Sequence, residues 1–236
     1  MIQLALMASG GGTTAEYVFR QCQRGRGLHG LFDPRCLIIS HRQVTAADRL
    51  RDAGFGGQIY TCSGNMFGPE RFGEILLDIF GEERIDWFAQ YGWLPLTPEA
   101  VIKEYPGINQ HPAPVPWFGG KGMYGRAPHK AIREFAQRVE RPILTEATAQ
   151  LVHPEFDQGE RIACISYPVS RDCSTPMLQQ ALLPLEHQCQ VEALLRIAAY
   201  GGKAPPPVES YFELLPGEED ILAEAKRLAI EAWPHG

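Results

Sequence analysis

Asn109, His111 and Asp157 are the side chains whose types and order are able to carry a reaction. Ile108-Asn109-Gln110-His111-Pro112 is followed 45 residues later by Phe156-Asp157-Gln158-Gly159. Asn supplies a neutral donor to a developing oxyanion. His gives a proton or polarises a bond near neutral pH. Asp orients the His or moves its proton. Taken singly, each segment also has a plain reading. Asn accepts left-handed backbone geometry and Pro stops a strand, and Asp-x-Gly is a common turn. Two other imidazoles compete for the role. His129 opens a helical stretch and is expected at the surface, and His153 follows a strand and is expected near the Asp157 loop.

A second candidate lies at the amino end, in Ala8-Ser9-Gly10-Gly11-Gly12-Thr13-Thr14-Ala15. A glycine turn ahead of a helix presents free backbone N–H groups to an anion, and the Thr13 and Thr14 hydroxyls add donors. The favoured reading is a phosphate held by Gly10, Gly11, Gly12, Thr13 and Thr14. The loop also matches Gly-x-Gly-x-x-Ala, the dinucleotide fingerprint. That reading needs an acidic residue after the second strand. Ser40-His41-Arg42 stands there instead, with Arg42 able to serve a 2′-phosphate. A strand-to-helix turn that needs only small residues is the third reading.

These residues need a scaffold that brings strand ends together. Ile2 to Met7, Arg35 to Ser40, Gln58 to Thr61 and Asp86 to Tyr91 read as strands, and Ile108-Asn109 as a short strand or its end. Thr14 to Gln23, Ala46 to Ala53 and Pro69 to Phe80 read as helices between them, the last with Phe72, Ile75, Leu76 and Ile79 on one face. Alternation of this kind predicts an α/β, doubly wound, mainly parallel sheet in a single domain. Such sheets bind ligands beyond the carboxyl ends of their strands, where the glycine turn, Gly92 and Asn109 all fall. Pro112 to Gly125 reads as a loop and Ala127 to Val139 as a helix. Thr148 to Val152 and Ile162 to Val169 read as strands flanking Asp157, the second a candidate for antiparallel pairing. Ser174 to Ala199 reads as a helix kinked or broken at Pro184. Gly201 to Pro207 reads as a linker and Glu218 to Ala232 as a surface helix. The division predicted is residues 1–200 as the catalytic domain, with 201–236 a linker and helix packed on it.

Composition narrows the class. The 236 residues, 44% of them hydrophobic, suffice for one sizeable core. The formal net charge of −6, without a basic stripe, argues against nucleic acid as a partner. Six cysteines form no Cys-x-x-Cys pair, so buried free thiols are expected and neither a zinc ribbon nor a thioredoxin motif is suggested. No metal ligand set, basic leader or membrane-length apolar run is read. The predicted setting is the cytoplasm, with small-molecule substrates, no nucleic acid, no membrane, and a monomer or homodimer.

From Ile2 to about Ala198 the chain resembles the folate-dependent formyltransferases. The resemblance rests on the glycine loop, Asn109-Gln110-His111-Pro112, Gly119-Gly120-Lys121-Gly122-Met123-Tyr124-Gly125, the Asp157 turn and Leu185-Glu186-His187. The branch most similar formylates glycinamide ribonucleotide in purine synthesis; a formyltransferase of the same fold acting on an amino sugar nucleotide, or a non-catalytic folate- or nucleotide-binding relative, is the alternative. The resemblance implies a Rossmann-like formyltransferase fold and 10-formyltetrahydrofolate as co-substrate, with no metal. It implies that Asn109 and His111 stabilise an oxyanion while Asp157, through water, supports the His111 charge and takes part in proton transfer. It further implies that the glycine loop holds a ribose 5-phosphate and that Glu186 binds the ribonucleotide. Leu94, Pro95, Leu96, Asn109 and Phe156 would line the pterin pocket, although Gly92-Trp93-Leu94-Pro95-Leu96 is one residue shorter than the common pattern. Lys121 and Arg126 would approach an anionic substrate or stand merely solvated. Four positions depart from the family. Thr13-Thr14 stands for Ser-Asn, Gln150 for the His of Thr-x-His, and Gln110 for an apolar residue. Gln150 donates and accepts hydrogen bonds but carries no proton.

Overall fold

Strand β1 (Ile2–Ala8) is apolar on both faces, and its alternation sets the layers. Leu4, Leu6 and Ala8 enter one core cluster, and Ala5 and Met7 enter another on the opposite side. A strand covered on both faces reads as a continuous apolar run. The computed structural model describes residues 1–233. The chain continues through α1 (Thr13–Cys22), β2 (Phe32–Ile39), α2 (Ala46–Asp52), β3 (Gln58–Thr61), α3 (Gly64–Phe67), α4 (Pro69–Glu82) and β4 (Trp87–Gln90). It goes on through α5 (Glu99–Glu104), β5 (Gly107–His111), α6 (Ala127–Arg138), β6 (Ile143–Leu151), β7 (Arg161–Val169), α7 (Thr175–Ala199) and α8 (Glu219–Ala232).

The seven strands form one sheet in the order β3-β2-β1-β4-β5-β6-β7. β1 to β5 pair in parallel, and β6 runs antiparallel to both β5 and β7. This is the doubly wound, mainly parallel sheet read from the alternation. The reversed strand is the first of the two that flank Asp157, so β7 runs with the parallel set. Strand order turns between β1 and β4, which opens a crevice beyond their carboxyl ends.

Residues of α1, α2 and α7 cover one face, through Val18, Leu50, Cys189, Ala193, Leu194 and Ile197. The other face is covered by Phe72, Leu76, Ile79 and Phe80 of α4 and Val101 of α5. A third cluster joins Ala131, Ile132 and Phe135 of α6 to Leu178 and Leu182 of α7, Phe118 of the Pro112–Gly125 loop, and Leu222, Ala225 and Ala229 of α8.

Several local features differ from expectation. α3 and α5 were not read, although Pro98 immediately precedes α5. β6 begins at Ile143, five residues before the strand expected there. Buried Thr145 and Glu146 interrupt its apolar pattern. α7 continues through Pro184 instead of breaking. The stretch after α7 is tied down along its length. Trp87 Nε1 donates to the Gly202 carbonyl at 2.8 Å. Val208 N–H donates to the Arg161 carbonyl at 2.9 Å. The fully buried carboxylate of Glu146 accepts from Ser210 Oγ at 3.0 Å and from Tyr211 N–H at 2.8 Å. All six cysteines are free thiols. Among the described residues no helix is long and apolar enough to cross a membrane, and no three His, Cys, Asp or Glu side chains gather to hold a metal ion.

Candidate active site

Asp157 sits in a tight turn between β6 and β7, with φ at 57°. Left-handed backbone geometry is tolerated by Asp better than by most residues. It folds the carboxylate back over the end of β5. Asn109 and His111 are alternate residues of β5 and share one face. Gln150 is the cross-strand partner of Asn109 and lies on that same face. Three neutral donors reach the carboxylate. Asn109 Nδ2 donates to Oδ1 at 3.2 Å, Gln150 Nε2 to Oδ1 at 2.9 Å, and Gly120 N–H to Oδ2 at 2.9 Å. Gly119 must lack a side chain, because a Cβ there would lie 2.4 Å from Asp157 Cβ.

His111 is buried and held at both nitrogens. Nε2 lies 2.9 Å from the Phe118 carbonyl, and Nδ1 lies 3.4 Å from Asp157 Oδ1. A carbonyl only accepts, so Nε2 carries its hydrogen. Nδ1 is then the nitrogen that takes up or releases a proton, facing Asp157. One hydrogen of Asn109 Nδ2 is engaged by Asp157, which leaves the other for a substrate oxygen. A carbonyl carbon under attack beside this group would find an amide donor, an imidazole and a proton acceptor gathered about one carboxylate oxygen.

These residues open onto a cavity of about 770 Å³. Its wall includes Ser9 and Gly10 after β1, Gly92 to Thr97 after β4, Asn109 to Pro112, Gly120 to Gly125, and His153 and Phe156 beside Asp157. Leu94, Leu96 and Phe156 are exposed to it, and Pro95 completes this apolar stretch. Leu94 N–H donates to Ser9 Oγ at 3.0 Å, which joins this wall to the glycine turn. Lys121 lines the cavity, while Arg126 stands outside it at the start of α6.

The glycine turn is split by the structure. Gly10 lines the cavity, and Gly11, Gly12, Thr13 and Thr14 lie to its side at the start of α1. Gly12 takes φ at 69°, and a Cβ there would meet Ala46 Cβ at 2.4 Å. Thr14 is buried, and Thr13 Oγ1 lies 3.5 Å from His187 Nε2. His187 stacks on Tyr17 at 5.0 Å between ring centroids. Burial lowers the His187 pKa, against the opposing pull of Glu16.

One side chain departs from the sequence reading. His129 is buried in the cavity wall instead of exposed, because the first turn of α6 faces inward. Burial, reinforced by the neighbouring His111, lowers its pKa to about 3, so the imidazole stays neutral. Glu186 of α7 is buried and hydrogen-bonded to Gln110 Nε2. Burial raises its pKa to about 7, against the Gln110 hydrogen bond that favours the ionised form. The Gln110 side chain points away from Asn109 and His111, as alternation along β5 requires. Gln110 Oε1, Gln150 Oε1 and His129 Nδ1 are buried in the cavity wall without a partner among the described residues. The Gly120 amide was missed as a ligand of Asp157, since a backbone donor leaves no residue signature.

A family model described as formyl transferase matches residues 2–194. The chain is 27% identical over 194 residues to the chloroplastic phosphoribosylglycinamide formyltransferase of Arabidopsis thaliana, covering 81% of this chain and 64% of that one. It is 28% identical over 195 residues to the Vigna unguiculata protein of the same name, covering 81% of this chain and 59% of that one. The match therefore spans less than two thirds of the length of these curated relatives. Among solved structures, glycinamide ribonucleotide transformylase 1 from Symbiobacterium toebii superposes with a TM-score of 0.71 at 20% identity, covering 85% of this chain and 89% of that one. Phosphoribosylglycinamide formyltransferase from Brucella melitensis superposes with a TM-score of 0.69 at 21% identity, over 89% and 98%. These structures share the fold of this chain, and the match to the family model over most of the chain makes it a member of the formyl transferase family.

Proposed function

We propose that the protein transfers a formyl group from 10-formyltetrahydrofolate, a co-substrate, to the amine of glycinamide ribonucleotide in purine biosynthesis. The observation that carries this reading is the joining of Asn109, His111 and Asp157 through one carboxylate oxygen at the mouth of a large cavity. In the reaction the amine nitrogen bonds to the formyl carbon, the carbonyl becomes an oxyanion, and the bond from that carbon to the folate nitrogen then breaks. The amine loses one proton and the departing nitrogen gains one. Asn109 Nδ2 and His111 Nδ1–H donate to the oxyanion. Asp157 receives the proton that the amine releases and returns it through His111. Leu94, Pro95, Leu96 and Phe156 form an apolar wall suited to a flat pterin. Gly10 to Thr14 at the start of α1 suit the phosphate of the ribonucleotide. Lys121 adds a cation beside the cavity. Residues 1–200 form the catalytic unit, on which residues 201–233 pack; 234–236 lie outside the described residues. The setting is the cytoplasm, and the oligomeric state is a monomer or homodimer.

A second acceptor, an amino sugar nucleotide, is favoured by one observation. Gln110 already occupies Glu186, the side chain that the first reading assigns to the ribonucleotide. The deciding experiment follows formation of tetrahydrofolate by absorbance, with glycinamide ribonucleotide and an amino sugar nucleotide offered separately. His111→Ala serves as control. Turnover with the first acceptor that is lost in the control supports the reading. Turnover only with the second, or none with folate bound, rejects it.

A further inference from the structure

The peptide bond between Gly119 and Gly120 is held from both ends. Its N–H, on Gly120, donates to Asp157 Oδ2 at 2.9 Å. Its carbonyl, on Gly119, accepts from Lys226 Nζ at 2.8 Å. Lys226 belongs to α8, which lies beyond the 2–194 stretch matched by the family model. The lysine is half-buried and shares the inward stripe of α8 with Leu222 and Ala229 at helical spacing. That stripe packs against α6, so the ammonium is held in place.

We propose that Lys226 is a positioning residue for the Asp157 carboxylate, acting through the Gly119–Gly120 peptide. A cation on the carbonyl oxygen draws electron density along the amide and strengthens the N–H as a donor on the other side. The partly buried charge also favours the ionised carboxylate directly, with less screening than a surface charge would suffer. The groups that face Asp157 are His111 on β5, Asn109 on β5, Gln150 on β6, the Gly120 amide, and Lys226 behind it. His129 of α6 stands beside His111 and is neutral. Lys226 is therefore the fixed cation in this surrounding, and His111 adds charge only when protonated. Burial lowers the Lys226 pKa, and the charge of Asp157 opposes that effect.

The test uses the full chain with Lys226→Met, which removes donor and charge, and Lys226→Gln, which keeps a donor. Near-ultraviolet circular dichroism checks that both fold. The expected result is a kcat lowered roughly tenfold in Lys226→Met, the scale for losing a hydrogen bond from a charged group. The acid limb of its pH–rate profile moves to higher pH, as does the titration of the Asp157 carboxyl carbon followed by 13C NMR. Lys226→Gln recovers part of the rate but keeps the displaced titration. An unchanged carboxyl titration overturns the proposal, even if the rate falls, because the helix would then act as packing alone. The rate readout rests on the formyl-transfer reading. If the wild-type protein formylates neither acceptor, that reading fails, and the carboxyl titration alone decides the role of Lys226.

Discussion

Gln150 Nε2 donates to Asp157 Oδ1 at 2.9 Å, and Asn109 Nδ2 reaches the same oxygen at 3.2 Å. The side chain that replaces the family His thus serves as a fixed neutral donor to the carboxylate. Proton exchange is left to His111. Gln150→Leu removes that donor while keeping similar volume. We expect turnover to fall about tenfold, the scale of one hydrogen bond to a charged group, measured as the initial rate of formyl transfer. Wild-type turnover would mean that Asn109 and the Gly120 amide hold Asp157 without it.

Asp157→Asn keeps the shape of the turn and an oxygen for the Gly120 amide, but removes the proton acceptor. Turnover is expected to drop roughly a hundredfold or more, the scale of lost acid–base assistance. Thermal unfolding should change little. Near-normal turnover would remove Asp157 from the mechanism.

Gly119→Ala tests the closeness of the loop to the carboxylate. The new Cβ would stand 2.4 Å from Asp157 Cβ, so the Asp157 turn or the loop must shift. A misplacement of about 1 Å costs on the order of a hundredfold in rate. Single-turnover rates in a folded variant would show it, and an unaffected rate would mean that the turn yields without cost.

Glu186 makes stability depend on pH in one direction. Its folded pKa, about 7, is above the usual 4.5. The folded state therefore holds a proton that the unfolded chain releases between those values. Stability is full below pH 4.5 and falls as pH rises through 7. Relative to Glu186→Gln, the wild-type protein should lose about 3 kcal/mol across that window. Urea denaturation at several pH values checks this, and parallel curves would refute burial as the cause.

His129 acts in the opposite direction. Its folded pKa, about 3, is below the usual 6.5. The unfolded chain takes up a proton that the folded one refuses, so stability is full above pH 6.5 and is lost as pH falls. Between pH 6.5 and 5 the wild-type protein should lose about 2 kcal/mol relative to His129→Asn. The same denaturation series at acid pH measures it, and equal losses in both proteins would count against a buried neutral imidazole.

The sheet was legible because Leu4 to Ala8 of β1 and Cys36 to Ile39 of β2 are continuous apolar runs and α4 repeats Phe72, Leu76 and Ile79 at helical spacing. Asn109, His111 and Asp157 were legible as residue types that few folding needs place in that order. The start of β6 was not, because Thr145 and Glu146 are polar, and Glu146 is satisfied by donors from distant chain. His129 was misplaced because helix polarity says nothing about which turn faces a cavity. Lys226 reaches Gly119 across 107 residues, a contact without any local signature.

The buried carboxylate of Glu146 has a consequence for the order in which the chain is made. It lies in β6, but two of its donors, Ser210 Oγ and Tyr211 N–H, come more than sixty residues later. While residues 1–200 are outside the ribosome and these two are still within its tunnel, a closed sheet would bury a charge short of hydrogen bonds, at a cost of several kcal/mol. Emergence of Ser210 and Tyr211 from the tunnel thus supplies the donors with which β6 closes on a satisfied Glu146.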